Sequence, residues 1–271
     1  FLSFAVATVT DIDGNVYETV LIGDQLWMAE NLKVTHYNNG SEIPTGVDNA
    51  TWSSTEEGAY AIYDDDPANA EVYGNLYNWY TVDDERGICP EGWHVPSYDE
   101  WTVLTDYLGG WSVAGGKMKE TGFGHWNSPN TGATNESGFN GLPTGHRYHD
   151  GIYNDMGYYT SLWSSTEADN NEVWRRGLNF NSSEVEQWHN EKQNGYSIRC
   201  LTYEVTTGCT DPDASNYNPD ANANDGSCML VFQPQTKEEL QTAVDLWISD
   251  ETEALATYGE INTWDTSLIT N

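Results

Sequence analysis

Aromatic side chains are the feature that most limits what this chain can fold into. Its 271 residues include 12 Trp, 17 Tyr and 6 Phe. A formal net charge of −33 and a mean hydropathy of −0.64 are typical of disordered chains, but those chains lack the large surfaces that Trp and Tyr bury. The sequence therefore predicts a folded, Trp-rich protein with an acidic surface.

The charge also limits the possible partners. Ten Lys and Arg stand against 43 Asp and Glu, and this excess of carboxylates repels phosphate backbones and anionic lipid. The sequence has no apolar run of the roughly 18 residues that cross a bilayer. We therefore expect neither nucleic-acid binding nor membrane insertion.

The first ten residues have two interpretations. Residues 1–7, FLSFAVA, end in an Ala-x-Ala pattern that is typical of the last part of a secretory signal peptide. Alternation of side chains from Phe4 through Val6 to Thr10 also indicates a strand, which is the interpretation we favour. In either case we expect the sequence to be a piece of a longer precursor.

Four cysteines in an acidic chain are typical of an oxidising compartment, where an even number usually forms bridges. Three pairings are possible. Cys209 and Cys228 enclose an Asp- and Asn-rich segment, whereas Cys89 and Cys200 flank a separate aromatic-rich stretch. We therefore favour Cys89–Cys200 and Cys209–Cys228. Free thiols or a four-Cys metal site are weaker alternatives, because the Cys-x-x-Cys spacing of such sites is missing.

Shifts in composition divide the chain into three parts: residues 1–203, a Cys-bounded module at 208–228, and a helical segment at 232–271. In the first part a capping box at Ser97 predicts a helix that ends at Gly109, and a weaker helix is predicted over 113–119. Short strands are predicted at 17–22, 25–28, 59–63, 162–164, 174–179 and 197–201. Few helices, many short strands and long loops predict an α+β fold.

Five motifs resemble the Fibrobacter succinogenes major paralogous domain. They are, in order, 22–32 (IGDQLWMAENL), 73–79 (YGNLYNW), 89–96 (CPEGWHVP), 162–166 (LWSST) and 197–200 (SIRC). The resemblance implies a C-type-lectin-like fold with a small two-part antiparallel sheet, two helices, a long loop region and a disulfide from the middle of the domain to its last strand. It also implies an extracellular recognition or surface module.

The motifs also supply the expected core. Four Trp belong to them and Trp101 lies in the helix predicted after Ser97. We expect these five to be mostly buried around one hydrophobic centre: Trp27, Trp79, Trp93, Trp101 and Trp163.

The other two parts have resemblances of their own. The module at 208–228 (GCTDPDASNYNPDANANDGSC) is similar to short Cys-bounded repeats in secreted proteins of marine Bacteroidota. The segment 232–271 resembles the opening unit of BspA-like surface-protein repeats, and a capping box at Thr236 predicts a helix there. The three parts together indicate a secreted, multidomain protein.

Calcium binding is a hypothesis for the Cys-bounded module, because carboxylate and amide oxygens are the ligands that this hard cation prefers. The candidate ligands are Asp211, Asp213, Asp220, Asn222, Asn224 and Asp225. Asx-turns around a disulfide are an equal alternative. A second metal-like motif, HRYHD at 146–150, lies between two glycines and is predicted to be a solvated loop rather than a zinc site.

Ligand-binding candidates in the predicted long-loop region are aromatic: Trp126, Tyr148, Tyr153, Tyr158 and Tyr159. They can stack on sugar rings or a protein partner, or they can fill a loop-rich core. The calcium-coordinating sugar triplets of C-type lectins are missing from the sequence, which speaks against sugar binding by that route. Formylglycine-generating enzymes share the lectin-like fold, but they need a reactive cysteine pair that Cys89 and Cys200 are not expected to provide.

These observations predict a non-enzymatic extracellular module that acts at the cell surface. The favoured function is adhesion through a glycan or protein partner. The alternative is a structural subunit whose identical copies assemble into an extracellular filament or appendage, with the strand at 1–10 pairing with a neighbouring copy.

Overall fold

Short elements joined by long loops make up the structure. The computed structural model describes residues 7–212, 214, 216–224, 226–228, 232–259 and 261–269. They form two compact units, of which one is Thr8–Val205 and the other includes Thr206–Asn271. Phe4 and Val6 of the predicted first strand lie outside the described residues, and the strand observed there is Thr8–Thr10.

The elements of Thr8–Val205 are, in chain order, β1 (Thr8–Thr10), β2 (Val16–Ile22), β3 (Gln25–Met28), α1 (Asn49–Ser54), β4 (Tyr60–Ala61), a 3-10 helix (Tyr63–Asp65), α2 (Pro67–Tyr73), β5 (Leu76–Tyr77), α3 (Trp79–Val82), α4 (Tyr98–Tyr107), α5 (Trp111–Met118), β6 (Thr144–Arg147), β7 (Tyr153–Met156), β8 (Tyr159–Glu167), β9 (Glu172–Asn179), β10 (Val185–Glu191) and β11 (Leu201–Thr202). The second unit contains β12 (Thr207–Gly208), β13 (Ala223–Asn224), α6 (Lys237–Ser249), α7 (Glu251–Tyr258) and a 3-10 helix (Ile261–Thr263).

The chain is thus a mixed α and β protein, as its composition predicts. The two helices predicted in the first unit are α4 and α5, but the short helices α1, α2 and α3 were not expected. The predicted strand at 59–63 is shorter than expected, Tyr60–Ala61, and the predicted strand at 197–201 begins only at Leu201.

The start of α4 is the clearest case of sequence dictating structure. The Ser97 hydroxyl accepts a hydrogen bond from the Glu100 N–H (3.2 Å), and the Glu100 carboxylate accepts one from the Ser97 N–H (2.7 Å). Two otherwise unpaired amides of the first turn are thereby satisfied. The helix ends where Gly109 and Gly110 adopt φ of 100° and 98°, a region that side chains with a Cβ avoid.

Two main sheets organise the first unit. One has the order β1-β2-β3-β11 and is antiparallel throughout. The other has the order β10-β9-β8-β6-β7, in which β6 and β8 are parallel and the other neighbours antiparallel. Both bridges favoured by the sequence are formed, and Cys89–Cys200 joins residues 111 positions apart with a Cα–Cα distance of 5.9 Å.

Buried side chains form two large apolar clusters instead of the single centre expected from the sequence. Met28, Trp163 and Cys200 belong to one, and their chain neighbours Trp27, Leu162 and Leu201 belong to the other. Successive side chains of a strand point to opposite faces. β3, β8 and the start of β11 therefore run between the two clusters and are buried on both faces.

The five Trp side chains expected in the core are distributed between these two clusters. Trp79 and Trp163 lie in the first cluster, and Trp27 and Trp101 lie in the second. All four are at most 2% exposed, whereas Trp93 is half-buried against the first cluster. The expected burial is therefore confirmed for four of the five, around two centres.

A lysine with no exposed surface connects the loops beside the second cluster. The Lys119 ammonium donates hydrogen bonds to the carbonyls of Thr131 (3.0 Å), Asn179 (2.8 Å) and Ser182 (2.7 Å). Burial disfavours the charged ammonium and lowers the pKa of Lys119 to about 8. Each carbonyl would otherwise be a buried acceptor that has lost its water.

This burial predicts a stability that rises with pH. Above pH 8 folded Lys119 loses its proton, whereas the unfolded chain keeps it up to about pH 10.4, so unfolding takes up a proton. From pH 7 to pH 9 the deprotonation of folded Lys119 raises the free energy of unfolding by about 1.4 kcal/mol. Urea titrations at pH 7 and pH 9 should show this rise in the wild-type chain but not in Lys119→Met.

The matched control is Lys117→Met, which removes a lysine that pairs with Glu136 at the surface. It should keep the wild-type difference between pH 7 and pH 9. An equal pH dependence in wild type and Lys119→Met would contradict the assignment.

Candidate recognition surface

Part of one face of the second sheet is polar and open to solvent. Trp188 of β10 pairs with Arg175 of β9, so both side chains lie on the same face. The Arg175 guanidinium lies over the ring of Tyr159, 5.3 Å from its centroid. The ring of His146 packs edge-on against two tyrosine rings, with centroid distances of 6.4 Å to Tyr159 and 4.3 Å to Tyr148. We call Tyr148, Tyr159, Arg175 and Trp188 the aromatic face.

A hydrogen-bond network fixes the polar groups of the aromatic face. Arg175 donates from Nε to Asn190 Oδ1 (2.7 Å) and from Nη1 to the Tyr159 hydroxyl (2.6 Å). The Tyr159 hydroxyl donates to Glu186 (2.5 Å), which also accepts from the Asn179 amide (3.3 Å). Side chains from β8, β9 and β10 are thereby held in one arrangement before any ligand arrives.

Gly177 makes this arrangement possible. A Cβ at this position would lie 1.8 Å from the Tyr159 hydroxyl oxygen, so any larger residue would displace the tyrosine from Arg175 and Glu186. Burial raises the pKa of Tyr159, and its hydrogen bond to Glu186 raises it further although Arg175 opposes the shift. The hydroxyl therefore keeps its proton for the carboxylate.

His146 lies beneath the aromatic face and corrects the expectation for the motif at 146–150. It belongs to the strand Thr144–Arg147 and is 5% exposed, because its ring packs among tyrosines instead of facing solvent. Within the described residues neither ring nitrogen has a hydrogen-bond partner, and the nearest carboxylate oxygen, of Asp155, is 3.7 Å from Nε2. Burial lowers the pKa of His146 to about 4, so the ring is neutral at physiological pH.

A polar groove of about 540 Å³ is lined in part by residues that directly follow two residues described above. Tyr148 of the aromatic face is followed by His149, and Asn190 of the network is followed by Glu191. The groove is lined by Ser53, Glu56, Tyr80, His149, Asn170, Asn171, Glu191, Lys192 and Gln193. Amides, hydroxyls and carboxylates of this kind pair with ligand hydroxyl groups.

Several lining groups of the groove are already fixed. His149 Nδ1 lies 2.6 Å from the Glu191 carboxylate, and Gln193 donates to the Tyr80 hydroxyl at 3.0 Å. Lys192 pairs with Glu167 at 3.2 Å and lies over a buried indole ring. The Lys192 charge is therefore neutralised within the protein.

Comparison with known proteins identifies the first unit. The model of the Fibrobacter succinogenes major domain matches residues 20–202, more than half of the chain. The chain belongs to this family. No curated protein and no solved structure matches it.

Within this Fibrobacter succinogenes major domain, the five predicted aromatic candidates do not form one surface. Tyr148 and Tyr159 belong to the aromatic face. Trp126 is 1% exposed and donates its indole N–H to the Gly141 carbonyl, so it is part of the second apolar cluster.

The remaining two candidates lie apart from the aromatic face. Tyr153 packs on Tyr63 and donates its hydroxyl to Asp65 at 2.7 Å. Tyr158 is half exposed and packs edge-on against Phe180. Neither has a contact with the network around Arg175 among those the structure describes.

Sequence reasoning missed most of the surface. Glu186, Trp188 and Asn190 occupy every second position of β10, and this strand periodicity was the signal that could have placed them on one face. The groove offered no such signal, because its residues come from five separate segments of the chain.

The second unit contains the Cys-bounded module, whose described amides bond to the backbone. Asn222 Oδ1 accepts from the Thr206 N–H (2.9 Å), and Asn224 Oδ1 accepts from the Gly226 N–H (3.0 Å). The second contact is of the Asx-turn type, whereas the first joins residues 16 positions apart. The bridge Cys209–Cys228 encloses the segment.

The candidate carboxylates of the module are only partly described. Asp211 is buried and Asp220 is exposed, while Asp213 and Asp225 lie outside the described residues. Over the described ranges, the His, Cys, Asp and Glu side chains form no group of three or more that could hold a metal ion. Calcium binding remains a prediction.

The helices of the described chain are all too short or too polar to cross a bilayer.

Calorimetry tests the calcium prediction. If the module binds Ca²⁺, titration of the whole chain should show heat of binding that Asp220→Ala abolishes, because a hard cation needs the full set of oxygen ligands. Asp245→Ala, on the exposed surface of α6, is the control and should bind as wild type does. No heat with the wild-type chain would leave the module as a spacer closed by a disulfide and Asx-turns.

Proposed function

We propose that this chain is a non-enzymatic recognition module of a secreted cell-surface protein and that it binds a glycan along the aromatic face and the polar groove. The family and the two disulfides support an extracellular module. A C-type-lectin-like fold for the first unit, and repeat modules at 208–228 and 232–271, belong to the same proposal.

The observation that carries the proposal is a rigid polar network with an exposed aromatic ring on each side. Trp188 is 57% exposed and Tyr148 is 38% exposed, although large aromatic side chains are usually buried. Between them, Arg175, Asn190 and Glu186 are held by mutual hydrogen bonds through Tyr159. Sugar rings present apolar faces to aromatic rings and hydroxyl groups to fixed polar partners.

The cysteines support recognition over catalysis. Cys89 and Cys200 are joined at an S–S distance of 2.02 Å, and Cys200 is fully buried between the strands of the first sheet and the first apolar cluster. A structural bridge in this position supplies no thiolate to a substrate.

Trp188→Ala tests the glycan proposal. A glycan array probed with the whole chain should show bound glycans. Trp188→Ala should lower the affinity for these glycans by at least about tenfold, the usual effect of removing a central aromatic contact. Trp111→Ala removes an equally exposed indole on α5, which packs against the other face of the sheet, and should bind as wild type does. Equal effects of the two variants, or an array with no bound glycan, would contradict the proposal.

Self-assembly is the second candidate, because β1 is the outermost strand of the first sheet. The unpaired side of an edge strand can accept another strand. With a net charge of −33, identical copies repel one another, so their association needs strand pairing or apolar contact to overcome the repulsion.

Deletion of residues 1–8 separates self-assembly from adhesion. If the chain assembles through its N-terminal strand, light scattering after size-exclusion chromatography should show loss of oligomers, while near-ultraviolet circular dichroism of the buried Trp stays unchanged. A wild-type chain that is already monomeric, or a deletion variant that still assembles, would exclude this strand as the contact.

A further inference from the structure

Arg175 differs from the other cations of the first unit. Four cations pair with a surface carboxylate at 2.6 to 3.2 Å: Lys33, Arg86, Lys117 and Lys192. Four are buried and donate to backbone carbonyls: Lys119, Arg147, Arg176 and Arg199. Arg175 is partly exposed, and within the described residues no carboxylate lies at ion-pair distance from it.

The Arg175 guanidinium is fixed in position and has a donor to spare. Nε and Nη1 are held by Asn190 and Tyr159, as described above. Nη2 makes no hydrogen bond of ordinary length in the described part of the chain, although the guanidinium also interacts with the hydroxyl of Tyr196, whose ring centroid lies 5.6 Å away. Glu186, the nearest carboxylate of the network, is occupied by Tyr159 and Asn179. A ligand carboxylate would therefore meet a guanidinium edge that is already oriented.

A second observation beside Arg175 concerns the buried ring of His146. Its ring packs on Tyr159 and Tyr196, the same two rings over which Arg175 lies. A histidine that is 95% buried would normally use both ring nitrogens, yet both are without a partner within the described ranges. Ser161, which precedes Leu162 on β8, also has a buried hydroxyl with no partner there.

We propose that Arg175 binds the carboxylate of an acidic sugar, a hexuronic acid, while the ring of Trp188 packs on the apolar side of the same or the next sugar. The inference rests on the glycan-binding function proposed above and names the class of glycan.

The acidity of the whole protein makes this contact selective. Charges farther away than about 8 Å are screened at physiological ionic strength, but a hydrogen-bonded contact at a partly buried guanidinium is screened much less. Anions are therefore repelled from most of the surface, and a ligand carboxylate is stabilised at Arg175. Of the planar side chains beside it, Trp188 is exposed and Tyr159 is buried, so a sugar ring can approach from the side of Trp188.

Matched ligands test the charge contact directly. The probes are the trisaccharides of galacturonate, mannuronate and glucuronate, each compared with its methyl ester, which has the same ring and no charge. We expect the whole wild-type chain to bind at least one acid more than tenfold tighter than its ester, as charged hydrogen bonds generally allow. Arg175→Met should bring that ratio close to one and leave the affinity for the ester within about threefold.

Two further variants separate charge recognition from folding. Trp188→Ala should weaken acid and ester by the same factor. Asn190→Ala frees Nε of Arg175 but keeps its charge, and it should lower the ratio of acid to ester without abolishing it. Thermal unfolding checks each variant, and if Arg175→Met does not fold, Asn190→Ala carries the test.

The outcomes distinguish the two proposals. The inference about Arg175 is wrong, and the glycan proposal stands, if array glycans bind but no acid binds better than its ester. The same conclusion follows if the preference for the acid over the ester persists in the Arg175 and Asn190 variants. If a polyaspartate peptide binds Arg175 tighter than any hexuronate, the partner is an acidic protein and the inference is also wrong. If no glycan binds at all, both proposals fail.

Discussion

Buried cations that donate to backbone carbonyls hold the long loops of this fold in place. The Arg199 side chain has 1% of its surface exposed and donates to Asn31 Oδ1 and to the carbonyls of Phe139 and Asn140. Burial lowers the pKa of Arg199 to about 9, and the guanidinium stays charged at neutral pH. The next residue, Cys200, carries the bridge to Cys89. Arg199 and Cys200, which directly precede β11, are thus linked to three distant parts of the chain: Asn31, the loop at Phe139 and Asn140, and Cys89.

Lys119 and Arg147 do the same elsewhere. Lys119 joins the loop at Thr131 to the end of β9 and the turn before β10. Arg147 donates to the carbonyls of Val47 and Gly151 while its guanidinium lies over the ring of Trp52. Loop carbonyls that leave water need a donor, and secondary structure cannot supply one where the chain is irregular. A multidentate cation satisfies several carbonyls at once. The 43 Asp and Glu far outnumber the ten Lys and Arg, and burial of four of these cations makes the surface more acidic still.

Local signals in the sequence were sufficient wherever one short segment determines the structure. The capping box at Ser97 predicted the start of α4, and four of the five Trp expected in the core are at most 2% exposed. The two apolar clusters could not be predicted in this way, because a strand such as β3 that is buried on both faces has no polar alternation to show which neighbours share a side. The sequence left the role of Trp126 open for a related reason, since its partner Gly141 lies 15 residues farther along the same long loop.

The same limit explains why the aromatic face was only half predicted. Tyr148 and Tyr159 attract attention as aromatics, but Arg175 becomes informative only when the partners of every other cation are known. Lys and Arg side chains are mostly exposed in proteins, whereas this fold buries four of its ten against carbonyls. Arg175 is set apart by Gly177, whose missing side chain lets the Tyr159 hydroxyl reach between the guanidinium and Glu186. The position of one tyrosine oxygen therefore determines whether Arg175 is neutralised by Glu186 directly or is held beside it with donors to spare.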